Sequence, residues 1–450
     1  MSLNVERQVA NSRDITRDAV VSADLFGPTG IRNVGKNEEA VVPFNKLETR
    51  NRDLLAALGW AFQPDPMEAL RNTLRKLIER EHIFFAPSGQ CAIAQVLSLL
   101  PQREVVMPAF MCYQVKQAIE GVGKRIVYVD QAENSVNATA AEYAEAAQPG
   151  RILLVVHMYG IPTDVQAICE LARKRDCVTI EDAVPGFGGK LNGRALGTFA
   201  DFGVFSFHQS KRVPAFRGGF IVVNNERIVD PEKINTRRVI DTKRRLPIGG
   251  MLQALIQNFA TAPWFYRNLT LPLLGLRETL PRFVSRLRQK TVARSDHQSG
   301  GAPRLPQTPY YTREIHPYQA ELINRMMDRW DGIRQRIARQ VSIYQEVFQG
   351  TPIQTFLSPE CDAGALMRFP IAFPGKDRAA IVSGALRRGL YLKLVWPRPL
   401  PEASEYSRFP NAVWASRNLV LLPLYSRLSL SAAELLARGT VETDRETPPA

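Results

Sequence analysis

Short apolar runs alternate with amphipathic stretches between Ala86 and Asn225. The runs EVVMP, RIVYVD, RILLVVHMYG and VTIED are rich in β-branched residues, and helical patterns such as YQVKQAIEGVG and DVQAICELARKRD separate them. Strands that are separated by helices of this length are typical of βαβ units and a mostly parallel sheet. We therefore predict a large α/β domain in this part of the chain.

A different pattern follows in the last third of the chain. A long helical pattern ending in RQRIARQVSIYQEVF comes first, and the runs ALMRFPIAFP and GLYLKLVWP then flank the helical stretch DRAAIVSGALRRG. This order predicts a smaller α+β domain. The predicted segments are a flexible N-terminal segment (1–40), the large domain (41–236), a basic apolar insertion (237–305), the small domain (306–438) and a tail (439–450).

Composition narrows the class of protein. The 450 residues are 45% apolar and 23% charged, which is typical of a globular protein with more than one domain. The N-terminus lacks the pattern of a signal peptide, and no run reaches the ~20 apolar residues that span a bilayer. Five cysteines without paired spacing favour reduced thiols over disulfides or a metal site. We therefore expect a cytoplasmic protein without a bound metal.

The insertion carries most of the chain's excess positive charge. Between Arg237 and Arg304, thirteen lysines and arginines stand beside three acids, and the stretch MLQALIQNFATAPWFYRNLTLPLLGL lies among them. Nucleic acid or an anionic membrane would suit such a segment. Because Pro263, Pro272 and Pro281 interrupt it, we favour a helical insertion that packs its apolar face on its own protein. Its arginines would attract anionic substrates. We do not expect nucleic acid binding.

Ligands of parallel sheets collect at the carboxyl ends of the strands. The polar residues at these predicted ends are therefore candidates for a site, and they are Asp130, His157, Tyr159, Glu181 and Asp182.

The stretch FFAPSGQCAIAQVLSLL offers a possible anion site. Its apolar run meets a helix at Ser88, Gly89 and Gln90. The free N–H groups and the positive dipole end of a helix N-terminus bind phosphate, and a glycine lets the phosphate approach closely. An ordinary N-cap is the alternative interpretation.

Three further residues follow in chain order. Asp182 ends a β-branched strand, and Ser206 and Lys211 lie in FSFHQSK, at a turn between two predicted strands. Each residue alone has an ordinary interpretation: Asp182 could be an ion-paired or capping acid, and Lys211 could be a lysine exposed to solvent. A phosphate site, a strand-end acid that holds a ring nitrogen and a lysine that attaches to the cofactor are together what pyridoxal 5'-phosphate requires.

These residues lie in motifs that resemble the DegT/StrS family of sugar aminotransferases. The matching stretches are SGQCAI, MPAFMC, VHMYGIPTD, IEDA, GVFSFHQSK, GGFIVV, WPRPL and VLLPLY, and the resemblance covers most of residues 40–440. It implies the fold of fold-type I pyridoxal-phosphate enzymes.

The resemblance also implies an activity and roles for residues. The family transfers an amino group, here expected from glutamate, to a keto group of a nucleotide-linked sugar for polysaccharide or secondary-metabolite synthesis. Lys211 and Asp182 would be catalytic. Ser88, Gly89, Gln90, Tyr113 and Ser206 would help to bind the cofactor, His157, Tyr159 and Trp396 would lie on the substrate side, and two identical subunits would share the site.

A second interpretation remains open. Gln90, Cys112 and Pro185 depart from the family's usual residues around the cofactor. A regulator or membrane-associated scaffold of the same fold, which binds the cofactor without catalysis, is therefore the alternative.

Overall fold

A computed structural model describes residues 43, 46–62, 64–236, 246–270 and 314–449. The predicted flexible segment 1–40 lies outside the described residues, as do residues 237–245 and 271–305 of the predicted insertion.

A seven-stranded sheet forms the centre of the large domain. Its strands are β1 (Ile83–Ala86), β2 (Glu104–Pro108), β3 (Arg125–Val129), β4 (Arg151–Val156), β5 (Val178–Asp182), β8 (Phe202–Ser206) and β9 (Gly219–Val223), and β6 (Lys190–Leu191) and β7 (Arg194–Ala195) form a separate hairpin. The order across the sheet is β1-β9-β8-β5-β4-β2-β3. Only β9 runs against the others, because β1 and β8 each pair with it in antiparallel fashion and the remaining pairs are parallel. The predicted α/β class with a mostly parallel sheet is confirmed.

Helices cover the sheet and build the second layer. The α-helices are α1 (Asn51–Ala56), α2 (Pro66–Ile78), α3 (Gly89–Leu99), α4 (Tyr113–Gly121), α5 (Ala140–Tyr143), α6 (Val165–Lys174), α7 (Pro231–Thr236), α8 (Ile248–Ala260), α9 (Pro263–Phe265), α10 (Pro317–Met327), α11 (Trp330–Phe348), α12 (Arg378–Arg387), α13 (Pro410–Asn418) and α14 (Leu430–Glu446). Short 3-10 or π turns occupy Ala57–Phe62, Met158–Gly160, Tyr266–Thr270, Ala363–Ala365 and Ala403–Arg408.

Local sequence explains why the helices begin and pack as they do. In α2, the Asp65 carboxylate accepts hydrogen bonds from the N–H groups of Met67 and Glu68, and proline stands at the first helical turn. In α6, the buried residues Val165, Ile168, Cys169 and Ala172 recur at helical spacing and face the sheet. The strands between them are buried on both faces, which explains their continuous apolar runs.

The small domain contains a four-stranded antiparallel sheet. Its strands β10 (Gln354–Thr355), β11 (Phe369–Ala372), β12 (Lys393–Leu394) and β13 (Leu419–Leu422) follow the order β10-β11-β13-β12. Asp130, at the end of β3, accepts hydrogen bonds from the N–H groups of Asn411 and Ala412. This predicted strand-end acid therefore joins the two sheets by holding the first turn of α13, rather than facing a ligand.

The predicted tail at 439–450 is wrong over most of its length. Helix α14 continues through Gly439 to Glu446, and Gly439 packs closely on Leu390, because an added Cβ would lie 2.4 Å from Leu390 Cδ1. The Thr440 and Thr443 hydroxyls donate to helix carbonyls, and buried Asp444 pairs with Lys376 at 2.9 Å. The polar sequence thus belongs to a packed helix.

The described part of the predicted insertion, residues 246–270, corrects another expectation in part. Met251 and Leu255 of α8 pack against the core beside the buried Ala254. A second row of apolar residues on the same helix is exposed, namely Ile248, Leu252, Ile256 and Phe259. Within the described residues, no helix is both long and apolar enough to cross a bilayer.

Candidate active site

A cavity of about 640 Å³ opens at the carboxyl edge of the large sheet. It lies beyond the ends of β1, β4, β5 and β8, where the parallel strands all point. Its walls include Ser88, Gly89, Gln90, Cys91, Met111, Cys112, Gln114, Tyr159, Asp182, Pro185, Ser206, His208, Ser210, Lys211, Arg217, Met367 and Trp396. Sequence-predicted residues from four separate motifs therefore meet in one space.

The N-terminus of α3 forms one end of this cavity. Ser88 is the N-cap, and its hydroxyl accepts a hydrogen bond from the Cys91 N–H at 3.1 Å. A Cβ added to Gly89 would lie 2.7 Å from Ser206 Cβ, so only glycine lets α3 begin this close to the end of β8. The first N–H groups of an eleven-residue helix thus open into the cavity next to the Ser206 hydroxyl. This arrangement suits a phosphate group.

Asp182 supplies a buried carboxylate at the end of β5. Its side chain is 5% exposed, and one oxygen accepts a hydrogen bond from the Val184 N–H at 3.1 Å. Burial raises the pKa of this carboxyl, and the nearby Lys211 ammonium is the largest opposing influence. A cationic group placed against Asp182 would therefore favour its ionised form.

Lys211 lies in a loop that is held from both sides. Its N–H donates to the His208 carbonyl at 2.8 Å, and the adjacent Gln209 amide donates to Gln257 of α8 at 2.9 Å. The next residue, Arg212, points into the protein, where it donates to the carbonyls of Leu424 and Leu366. Because Arg212 fastens the loop to the small domain, the side chain of Lys211 is directed into the cavity.

His157 does not take the predicted position on the substrate side. It is fully buried, and its Nδ1 accepts from the Thr163 N–H at 3.2 Å. The ring proton therefore lies on Nε2, which donates to Glu181 at 2.8 Å. The reason for the correction is that strand alternation sends Glu181 away from the cavity, and His157 follows it.

Tyr159 and Trp396, both predicted on the substrate side, line the cavity. Their rings stack with centroids 6.5 Å apart. Tyr159 has a left-handed backbone (φ 60°), and its carbonyl accepts from the Met367 N–H at 2.8 Å. The Tyr159 hydroxyl is buried and has no hydrogen-bond partner among the described residues, and burial raises its pKa. Their proposed contact with substrate stays a prediction.

Tyr113 lies outside the cavity wall. It is 37% exposed at the first turn of α4, whereas Cys112 and Gln114 line the cavity on either side of it in sequence. The Cys112 thiol donates to Gln114 Oε1 at 2.7 Å, and burial raises the pKa of this thiol. Tyr113 is thus not among the residues that line the cavity, because its side chain faces outward while those of Cys112 and Gln114 face the cavity.

Sequence reasoning missed two basic residues of the cavity, His208 and Arg217. Arg217 stands between two residues with positive φ, Phe216 (68°) and Gly218 (116°), and this unusual backbone could not be read from the pattern. The glycine pair after Arg217 was the only signal. Burial is the main cause that lowers the pKa of His208, and the charges of Lys211 and Arg217 add to it. This imidazole is therefore neutral near pH 7.

The sheet order, the acid at the end of β5 and the lysine after β8 match the fold of fold-type I pyridoxal-phosphate enzymes. A solved structure of this class, a putative sugar aminotransferase from Streptococcus pneumoniae in its PMP form, superposes with a TM-score of 0.68. It is 17% identical and covers 90% of this chain and 99% of its own. This likeness confirms the predicted fold.

Residues 48–244 match the model of the DegT/DnrJ/EryC1/StrS aminotransferase family. The resemblance inferred from the motifs is thereby confirmed.

Named relatives match the chain over different lengths. GDP-perosamine synthase of Escherichia coli O157:H7 is 29% identical over 162 residues, which are 34% of this chain and less than half (44%) of that protein. The dTDP-4-dehydro-2,3,6-trideoxy-D-glucose 4-aminotransferase of Saccharopolyspora spinosa is 26% identical over 361 residues, 78% of this chain and 81% of its own.

Proposed function

We propose that this chain is a pyridoxal-phosphate-dependent aminotransferase that acts on a keto group of a nucleotide-linked sugar. The observation that carries the proposal is the meeting of three features in one cavity. These are the N-terminus of α3 at Ser88, the buried Asp182 carboxylate and the Lys211 amine. The match of residues 48–244 to the family model and the names of the relatives support the same class of activity.

The residues present fit the cofactor. The N–H groups at the start of α3 and the Ser206 hydroxyl would hold its phosphate, because they open into the cavity beside the close-approach glycine Gly89. Asp182 would hold the protonated ring nitrogen, which supplies the cation that a buried carboxylate requires. When bound, pyridoxal phosphate supplies an electron sink for the carbon that gains or loses the amino group.

Lys211 would perform the proton transfers. Its Nζ, directed into the cavity, takes a proton from the carbon that bears the donor's amino group and returns one when the keto substrate is aminated. His208, whose pKa is lowered, adds no charge beside Lys211 at pH 7. Tyr159 and Trp396 would form the apolar wall that keeps water from the reacting carbon.

The charge of the site suits anionic substrates. Two cationic side chains, Lys211 and Arg217, line the cavity, whereas Asp182 is the only carboxylate among its described lining residues. Burial is the first cause that lowers the pKa of the nearby Lys393, followed by the charges of Arg368 and Lys211. The carboxylates of glutamate and the diphosphate of a sugar nucleotide would both be attracted.

We further propose a cytoplasmic homodimer in which each subunit completes the other's pocket. Tyr113 and the cavity mouth would then meet residues of the neighbouring subunit. Sedimentation velocity at sub-micromolar protein tests this part, and a stable monomer that binds the cofactor would contradict the shared site.

Absorbance spectroscopy tests the activity directly. L-Glutamate, added to the protein loaded with pyridoxal phosphate, should convert the cofactor from its aldehyde to its amine form, and a nucleotide-linked keto sugar should convert it back. The alternative, a cofactor-binding regulator, predicts an unchanged spectrum with both compounds. D-Glutamate is the control for the geometry of the site.

A further inference from the structure

The two donors proposed for the cofactor's phosphate carry no full charge. The N-terminus of α3 has a partial positive charge of about half a unit, and Ser206 contributes a neutral hydroxyl. A phosphate monoester carries a charge of about −2 near pH 7. Because a charge that leaves water requires compensation, a cation close to the start of α3 would complete this part of the cavity.

The cavity contains few cations that could take this role. Three of its described lining residues can carry a positive charge, namely Lys211, Arg217 and His208. Burial is the main cause that lowers the pKa of His208, so this imidazole is neutral near pH 7. The charge of Lys211 acts on Asp182, where it opposes the rise in the pKa of that carboxyl. Arg217 is therefore the lining cation whose partner is still to be assigned.

The sheet order places Arg217 at the start of α3. Arg217 comes shortly before β9, which runs against its neighbours, so β9 begins at the edge of the sheet where β1 and β8 end. Gly219 pairs with Ala86 of β1 on one side and with Ser206 of β8 on the other. The segment of Arg217 therefore lies between the segment of Ser88, which follows β1, and that of Ser206.

Close backbone contacts hold these three segments together. Gly218 forms an isolated parallel bridge with Ser88, and its carbonyl accepts a hydrogen bond from the Phe207 N–H at 2.8 Å. A Cβ added to Gly219 would lie 2.9 Å from the Gly89 backbone nitrogen, so glycine is needed at this approach. The backbone of Arg217 is thus one residue away from direct contact with the N-cap of α3.

The backbone around Arg217 has a fixed and unusual conformation. Phe216 (φ 68°) and Gly218 (φ 116°) lie on either side of it in the left-handed region, which is unfavourable for phenylalanine. The Gln319 amide of α10 is buried and donates to the carbonyls of Ala215 and Arg217 at 2.7 Å and 2.8 Å. Strained backbone of this kind is kept where the surrounding structure determines it, and it is common at ligand sites.

The charge of Arg217 acts on groups on both sides of this segment. Burial raises the pKa of the Cys91 thiol in the first turn of α3, and a hydrogen bond with Ser88 and the charge of Arg217 oppose this rise. On the other side, the charges of Lys211 and Arg217 add to burial in lowering the pKa of His208. The guanidinium therefore acts inside the cavity, at the start of α3.

We propose that Arg217 binds the phosphate group of pyridoxal phosphate, together with the N-terminus of α3 and the Ser206 hydroxyl. The inference rests on the proposed function, which requires this cofactor. A guanidinium donates two parallel hydrogen bonds to a phosphate, in addition to its charge. Arg217 would thereby supply the full positive charge that the other donors lack.

The sheet order also favours the cofactor's phosphate over a substrate anion as the partner of Arg217. Tyr159, predicted on the substrate side, follows β4, and β8 and β5 lie between β9 and β4. Neighbouring strands are about 4.8 Å apart, so β9 and β4 are separated by about 14 Å across the sheet. Substrate anions would then be attracted by other cations near the cavity, such as Lys393.

Cofactor titration of the full-length protein tests the proposal without turnover. After removal of bound cofactor, quenching of tryptophan fluorescence gives the Kd of pyridoxal 5'-phosphate and of pyridoxal, which lacks the phosphate. Arg217→Gln should weaken the binding of pyridoxal phosphate by about tenfold to a hundredfold and leave the binding of pyridoxal within about twofold. Arg217→Lys should recover part of the loss, because it keeps the charge but not the paired hydrogen bonds.

The matched control is Arg227→Gln, since Arg227 is exposed beyond the other end of β9 and should not affect either Kd. Circular dichroism checks that the variants are folded. An unchanged Kd for pyridoxal phosphate in Arg217→Gln, or an equal loss for both ligands, would overturn the proposal. So would a variant in which only the KM for glutamate or for the keto sugar rises. A phosphate-specific loss in a protein that does not transaminate would support the role of Arg217 and refute the proposed activity.

Discussion

Two neighbouring carboxylates at the end of β5 have opposite surroundings. Glu181 is fully buried and accepts hydrogen bonds from His157 Nε2 and from the N–H groups of Gly197, Phe199 and Ala200. Asp182, one residue on, accepts a backbone hydrogen bond from Val184 and lines the cavity. Because successive side chains of a strand point to opposite faces, one carboxylate supports the fold and the other faces the site.

The difference teaches how a functional acid is distinguished from a structural one. Burial alone does not distinguish them, since both side chains are at most 5% exposed. The number of donors does, because a carboxylate that already accepts four hydrogen bonds has no need of a further partner. A buried carboxylate that borders a cavity, with a pKa raised by burial, is suited to a cationic ligand.

The largest effect is expected at the lysine that faces Asp182. Lys211→Ala should abolish turnover, because the amine that moves the proton is gone, while the protein still binds the cofactor through α3 and Asp182. Steady-state assay and absorbance measure the two properties. In the wild type, borohydride reduction and peptide mapping should place the cofactor on Lys211, and its recovery on Lys190 or Lys243 would refute the assignment.

The next effect is on stability and belongs to Glu181. Glu181→Ala should lower the free energy of unfolding by about 3–5 kcal/mol, because it leaves three backbone N–H groups and His157 buried without an acceptor. Urea denaturation measures the loss. The matched control is Glu442→Ala, whose exposed ion pair with Arg388 should contribute about 1 kcal/mol or less. Equal losses of unfolding free energy in both variants would contradict the structural role assigned to Glu181.

The smallest effect concerns Asp182 in the protein freed of cofactor. Its folded-state pKa is raised above the ordinary value of 3.8, so the folded state binds the proton more tightly than the unfolded state. Stability therefore falls as pH rises from that ordinary value through the raised pKa. Relative to wild type, Asp182→Asn should gain stability across this window, with a slope of at most about 1.4 kcal/mol per pH unit.

Denaturation of both proteins between pH 4 and pH 8 measures this difference. The asparagine keeps an oxygen that can accept from the Val184 N–H, so the comparison isolates the charge. If the variant is less stable than wild type at the upper end of the range, the ionised Asp182 carboxylate does not destabilise the folded protein, and the expectation is wrong.

The comparison also shows what the sequence could predict. The parallel strands follow from β-branched runs, and the order of Ser88, Asp182 and Lys211 along them predicted which residues meet at one edge of the sheet. His157 and Tyr113 were misplaced because their orientation depends on partners that are distant in sequence or on one turn of a helix. Arg217 was missed because its direction depends on positive φ angles on either side of it.

The wrong expectations for the tail at 439–450 and for helix α8 have a similar cause. The polar residues after Gly439 form a helix because Leu390 and Lys376, far away in sequence, pack against it. One row of apolar residues on α8 faces outward because Met251, Leu255 and Asn258 on the other side of the helix make its contacts with the protein. Both outcomes depend on long-range packing, which a pattern of hydrophobic residues does not contain.

The most direct test is the rate at which L-glutamate converts the bound cofactor in two acid-to-amide variants. Asp182→Asn should slow this half-reaction by about 10²–10⁴-fold, because the amide does not hold the ring nitrogen protonated. Glu181→Gln, measured at a temperature where it is folded, should react within about tenfold of wild type. A normal rate in Asp182→Asn, or an equal loss in both variants, would contradict the division of roles between the two carboxylates.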